Sequence, residues 1–158
     1  MTSEEIREYT QRITQSNRTE LIVILFDIYN TYVKEALEAL ENCNDEKYRD
    51  ACHNASMVLL HLRRDLDFKY PQSKSLYSLY DYCNRCMAKA IYSKDKKEID
   101  RASDIMTKMR ESFMQLAQGD KSEPLMKNAQ RITFGITYDR KDVTGIQENY
   151  DVKRGYFA

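Results

Sequence analysis

The chain has 158 residues, enough for one hydrophobic core and short for two, and its apolar fraction of 42% is ordinary for a globular protein. Lysine plus arginine and aspartate plus glutamate balance at 25 each, so no net field attracts nucleic acid or an anionic membrane, and partners are expected to be gripped by apolar contact. No stretch approaches the roughly 20 apolar residues that span a bilayer, and Met1-Thr2-Ser3-Glu4-Glu5 is acidic where a signal peptide would be basic, so no membrane insertion and a cytoplasmic location are expected.

All four glycines lie beyond residue 118, and Pro71 is the only proline before it, which sets a nearly breaker-free part, residues 1–118, apart from a tail, residues 119–158. Thr2 and Glu5 have capping-box spacing and open a short amphipathic helix that runs to Gln15. Ser16-Asn17-Arg18-Thr19 reads as a bend and a new cap, and a long helix is expected from Thr19 to Asn42. Asn44 or Asp45 caps a third helix that continues to Phe68. Tyr70-Pro71 forces a turn, Ser73 can cap a restart, and a fourth helix follows from Lys74 to Ser93. Asp95 with Glu98 repeats the capping-box spacing for a fifth helix that ends near Gln118, with Gly119 suited to a left-handed stop. The long helices are joined by short loops, so the expected fold is all-α: an antiparallel up-down four-helix bundle with a short extra N-terminal helix and an irregular C-terminal tail.

Tyr48, Ala51, Cys52, Ala55, Val58, Leu59, Leu62 and Leu66 recur at three and four, as do Ile99, Ala102, Ile105, Met106, Met109, Phe113 and Leu116; each set makes one core stripe. The second helix is broader. Its apolar residues from Leu21 to Leu40 cover about half the circumference, which fits either a central helix with neighbours on two sides or a face left for a partner. On the fourth helix Leu76, Leu79, Tyr80, Cys83, Met87 and Ala90 make the stripe, while Tyr77, Tyr82 and Tyr92 project elsewhere as candidate partner anchors.

The tail alternates over Ile132-Thr133-Phe134-Gly135-Ile136-Thr137-Tyr138 and favours extended structure that either lies along the bundle or stays mobile. Motifs for chemistry are weak throughout. Cys83-x-x-Cys86 falls inside a helix near the apolar stripe with no second pair to match it, so the thiols read as free and packed, like Cys43 and Cys52 in a reducing compartment. Asp50-x-x-His53 is half of a di-iron pattern whose other half is missing, because Val58 stands three residues before His61. The glycines have no nucleotide-binding spacing. Neither catalysis, metal nor cofactor is expected.

At the second helix, Ile13-Thr14-Gln15-Ser16-Asn17-Arg18-Thr19-Glu20-Leu21 followed by Ile22-Val23-Ile24-Leu25-Phe26-Asp27 is similar to a polar turn and leucine-rich helix found in the flagellin-specific export chaperones, the FliS family. Leu66-Asp67, Ser73, Leu76-Tyr77, Leu79-Tyr80-Asp81-Tyr82, Arg85, Ala90, Lys94-Asp95, Met109-Arg110 and Phe113 resemble the same family's last two helices in order and spacing. Phe26 stands where tyrosine is usual, Ile28 replaces a small residue, Asn17 a proline and Phe113 a tryptophan. The resemblance covers residues 9 to 116.

It implies a bundle that binds the disordered C-terminal segment of flagellin, prevents premature polymerisation and helps deliver it to the flagellar type III export gate. A disordered segment that folds into amphipathic helices in apolar grooves fits that role. Positions outside the core stripes nominate the groove: Leu21, Ile28 and Tyr32 on the second helix, Met57 and Leu60 on the third, Tyr77 and Tyr82 on the fourth. The resemblance also implies that the first helix, through Tyr9 and Ile13, acts as a removable lid, a part that Phe134, Tyr138 or Tyr150 of the tail could share. The alternative is a structural protein whose broad helix is a homodimer interface, satisfied without any client.

Overall fold

Four of the five helices begin where a polar side chain takes up a free N–H of the first turn. The computed structural model describes residues 1–126, and in it α1 (Ser3–Gln15), α2 (Arg18–Glu41), α3 (Asp45–Arg64), α4 (Gln72–Ser93) and α5 (Lys96–Gly119) follow in order. No strand occurs among the described residues. Thr2 and Glu5 form the expected capping box, with Glu5 N–H donating to Thr2 Oγ1 at 3.2 Å and Thr2 N–H to Glu5 Oε2 at 2.7 Å. A second box, which spacing also permits, starts α2: Glu20 N–H donates to Asn17 Oδ1 at 2.8 Å and Asn17 N–H to Glu20 Oε2 at 2.9 Å.

The α2–α3 connection is short because one motif ends the first helix and starts the next. Cys43 sits in left-handed geometry (φ 52), Cys43 N–H donates to Leu40 O at 3.2 Å and Asn44 N–H to Ala39 O at 2.8 Å, the two bonds of a Schellman stop. Asn44 then caps α3, accepting from Lys47 N–H at 3.1 Å. Lys94 ends α4 in the same left-handed region (φ 51), and Asp95 caps α5. Such reversals make consecutive helices antiparallel neighbours. Accordingly α2 packs on α3, α3 on α4, α4 on α5 and α5 back on α2, closing a four-helix bundle, while α1 packs against α2.

Phe26, Tyr29, Leu59, Met87, Ile99 and Met106 are fully enclosed at its centre, each contributing about 1.5–3 kcal/mol by leaving water. Phe26 ties three helices together, its ring centroid 6.4 Å from that of Tyr80 on α4 and 5.6 Å from that of Phe113 on α5. Two buried hydroxyls find partners, Tyr48 Oη donating to Ala90 O at 2.7 Å and Tyr29 Oη to Met87 Sδ at 3.6 Å, whereas Ser103 Oγ has none among the described residues. The breadth of α2 is explained by three neighbours, since α3, α5 and α1 all pack on it.

Several local expectations shift. Helix α3 stops at Arg64 and not near Phe68, because the Asp67 carboxylate accepts from Lys69 N–H at 3.0 Å and Asp67 O from Ser73 Oγ at 2.5 Å, a turn that competes with further helix. Ser73 is thereby used outside the cap, and Pro71 stands at the start of α4 without a side-chain bond. Asp95 caps by accepting from Lys97 N–H, while Glu98 pairs with Arg101 at 2.7 Å, so the expected box does not form. Gly119 belongs to α5 and is not left-handed; the helix stops at Asp120 in extended geometry. In the stripes, Leu79 and Leu116 are exposed and Cys86 takes a buried place on α4. The expectations for Phe134, Tyr138 and Tyr150 lie outside the described residues.

Candidate functional site

Helix α1 runs antiparallel to α2 and is held by polar contacts at its edge. Tyr9 Oη shares a hydrogen bond with Thr31 Oγ1 at 2.8 Å, and Arg12 Nη2 donates to Asp27 Oδ2 at 2.5 Å. Asp27 also receives Arg110 Nε from α5 at 2.6 Å, so one carboxylate, only 14% exposed, ties α1, α2 and α5 together. Tyr9 and Ile13 are half-buried, Ile6 is exposed, and no residue of α1 is buried. With so little apolar area withdrawn from water, α1 is the helix that costs least to lift from the bundle.

The candidate groove residues fall on separate faces. Leu21, Ile28 and Tyr32, spaced by seven and four, share a line along α2 and are half-buried; Ile28 and Tyr32 pack against the core. Burial raises the Tyr32 phenol above its usual range, and Glu35 adds to the effect. Met57, exposed, and Leu60, half-buried, stand one turn apart on α3, and Arg63 is one turn further. The Arg63 guanidinium lies 5.3 Å from the Tyr77 ring centroid and pairs with Asp81 at 2.9 Å, while the Phe68 ring is 5.9 Å from that of Tyr77. Met57 and Leu60 lie two turns and one turn before Arg63 along α3, and Tyr77 sits in a cluster over the α3–α4 seam. Phe68 and Arg63 complete it, and sequence reasoning missed both: Phe68 was read as the end of a helix, and a stacked arginine has no signature in spacing. Tyr82 stands apart. The neighbouring Cys86 raises its phenol above the usual range, and Glu98 and Arg101 of α5 are its charged neighbours.

At one end of the bundle a cavity of about 290 Å³ opens between the start of α2, the end of α3 and the end of α5, and Leu21, Leu62, Leu66 and Phe113 are among its walls. A second, shallower recess of about 470 Å³ lies between the end of α1, α2 and the end of α5. The walls of the first are mostly apolar, suited to a hydrocarbon side chain and not to a charged or phosphorylated ligand.

Cys52, Cys83 and Cys86 are buried and Cys43 is exposed, all free. Burial pushes the Cys83 thiol up to about 12 and also raises Cys52 and Cys86, so these sulfurs stay protonated and pack as small apolar groups. His53 and His61 are exposed on α3. The arrangement offers grooves and aromatic anchors for a polypeptide.

Residues 2–120 match the sequence profile of a family described as flagellar protein FliS. The chain belongs to the FliS family. The match spans all five helices, so the resemblance read from the α2 entry and the α4 tyrosines extends to the whole bundle. This is a family of flagellar export chaperones and not of enzymes, in keeping with a site built of grooves. No curated protein matches the chain. None of its described helices is long and apolar enough to cross a membrane.

Proposed function

We propose that the protein binds the disordered C-terminal segment of flagellin in the cytoplasm, keeps it from polymerising and presents it to the flagellar type III export apparatus. The observation that carries this reading is the contrast between the two coverings of α2. Its core face is sealed by α3 and α5, whereas a further side is covered by a helix that contributes no buried residue of its own, and Val23 and Ile24 line the recess between the end of that helix and the end of α5. Lifting α1 exposes an apolar face continuous with Ile28 and Tyr32, and Met57 and Leu60 on α3, with Tyr77 on α4, offer a second set of apolar contacts. A segment that folds as it docks can wrap from one to the other, offsetting its ordering cost by buried area. No cofactor or metal enters this mechanism.

Calorimetry of the full chain with the flagellin C-terminal segment tests it. Binding with a strongly negative heat-capacity change is expected, and Met57→Glu with Leu60→Glu should weaken it about tenfold or more while the helical spectrum and melting stay unchanged. Because Ile28 packs on the core, Ile28→Ala is the safer probe of the α2 face and should weaken binding several-fold. Unchanged affinity in both variants would move the groove elsewhere. No heat of binding together with a stable dimer would assign these faces to a second copy of the chain.

A further inference from the structure

Past Gly119 the backbone turns back across the end of the bundle. Thr19 Oγ1 donates to Asp120 Oδ2 at 2.5 Å, Asn17 Nδ2 donates to Asp120 O at 3.3 Å, and Leu125 N–H donates to Ser16 O at 3.1 Å. These bonds carry Leu125 to the end cavity of about 290 Å³, where it joins Leu21, Leu62, Leu66, Tyr80 and Phe113 as a wall. The fit is partial, since Leu125 stays 51% exposed and open space remains beside it. A strap of this kind orders several residues for three hydrogen bonds and half a leucine, so it is poised to leave.

We propose that Asp120–Leu125 is a built-in stand-in for the client: the end cavity accepts a leucine-sized side chain of an extended flagellin segment, its backbone N–H donating to Ser16 O, and Leu125 competes for that place. The strap itself shows the chemistry that fits, a carboxylate held by the Thr19 hydroxyl at the start of α2 and, five residues later, an aliphatic side chain in the cavity. The competition sets a threshold, because affinity is reduced by the fraction of chains whose cavity is free. This inference rests on the chaperone reading.

The test compares the full chain with its Leu125→Ala and Asp120→Asn variants, measuring affinity for the flagellin C-terminal segment by calorimetry and the methyl resonances of Leu62 and Leu66 by NMR. Both changes are on the strap and leave the walls contributed by the helix bundle, Leu21, Leu62, Tyr80 and Phe113, intact. Removing the half-buried leucine should tighten client binding about fivefold, with a smaller gain for Asp120→Asn, and added client should shift the Leu62 and Leu66 methyls. Equal affinity in all three proteins, or client binding that leaves those methyls unmoved, overturns the competition while the chaperone reading stands. Absence of client binding in all three removes both.

Discussion

Asp27 joins three helices, and replacing it with asparagine separates what holds the bundle from what holds α1. The carboxylate takes two charge-assisted bonds, from Arg12 at 2.5 Å and Arg110 at 2.6 Å, while the two arginine side chains are 39% and 31% exposed. Arg12 is open enough that its share is screened to about 0.5 kcal/mol. Arg110 is more enclosed, and with Asp27 itself largely buried its share is about 1 kcal/mol, below the usual value for a bond to a fully buried charge. Asp27→Asn keeps the shape and removes the charge, so it should cost about 1.5 kcal/mol and lower the melting temperature by about 5 °C. Arg12→Ala should lower it by no more than about 2 °C, because its bond holds only α1, yet it should speed amide exchange across Ser3–Gln15 about twofold to threefold. Circular dichroism melts and site-resolved hydrogen exchange read the two effects, and the double variant closes a cycle that isolates the Arg12 coupling. Equal melting losses for Asp27→Asn and Arg12→Ala, or unchanged α1 exchange in Arg12→Ala, would refute the division of roles.

Two further outcomes follow from the enclosed tyrosines. Tyr48→Phe strands the Ala90 carbonyl that accepts the buried hydroxyl, so a loss of about 1–1.5 kcal/mol is expected in urea unfolding with an unchanged slope; a loss below about 0.3 kcal/mol would mean that water replaces the bond. Burial raises the phenols of Tyr29, Tyr48 and Tyr80 and pushes the Cys83 thiol up to about 12, so the folded state holds these protons more tightly than the unfolded chain does. Their contribution is therefore intact below the unfolded values, about 8.5 for cysteine and 10 for tyrosine, and is lost as the pH rises beyond them; a melting temperature that stays flat up to about pH 11 would contradict this.

What the sequence made legible is mostly local. The Thr2–Glu5 box, the end of α1 at Gln15, the cap at Asn44 or Asp45, the break at Pro71 and the end of α4 at Ser93 were all readable, because caps and breakers act within one or two helical turns. The α3 stripe from Tyr48 to Leu62 was readable for a related reason: a 3.6-residue period fixes which side chains share a face whatever lies opposite. Even the misread start of α2 had a signal, the Asn17–Glu20 spacing, hidden by the neighbouring Thr19.

The tertiary structure decided how the faces are used. Periodicity says that Leu116 and Leu79 lie near apolar stripes, but only the relative phase and length of neighbouring helices leave them exposed and enclose Cys86 instead. Whether the broad face of α2 awaited a partner or a neighbour depended on α1 folding back on α2, and the scatter of the nominated groove over an α2 line, two α3 positions, Tyr77 beside Arg63 and a separate Tyr82 depended on the order of helices around the bundle. The contact of Leu125 with the end cavity spans more than a hundred residues of sequence and has no local signature. Helix formation is settled by bonds between residues four apart, which one stretch of sequence contains, whereas coverage of a face is settled by residues far along the chain that meet only once the helices pack.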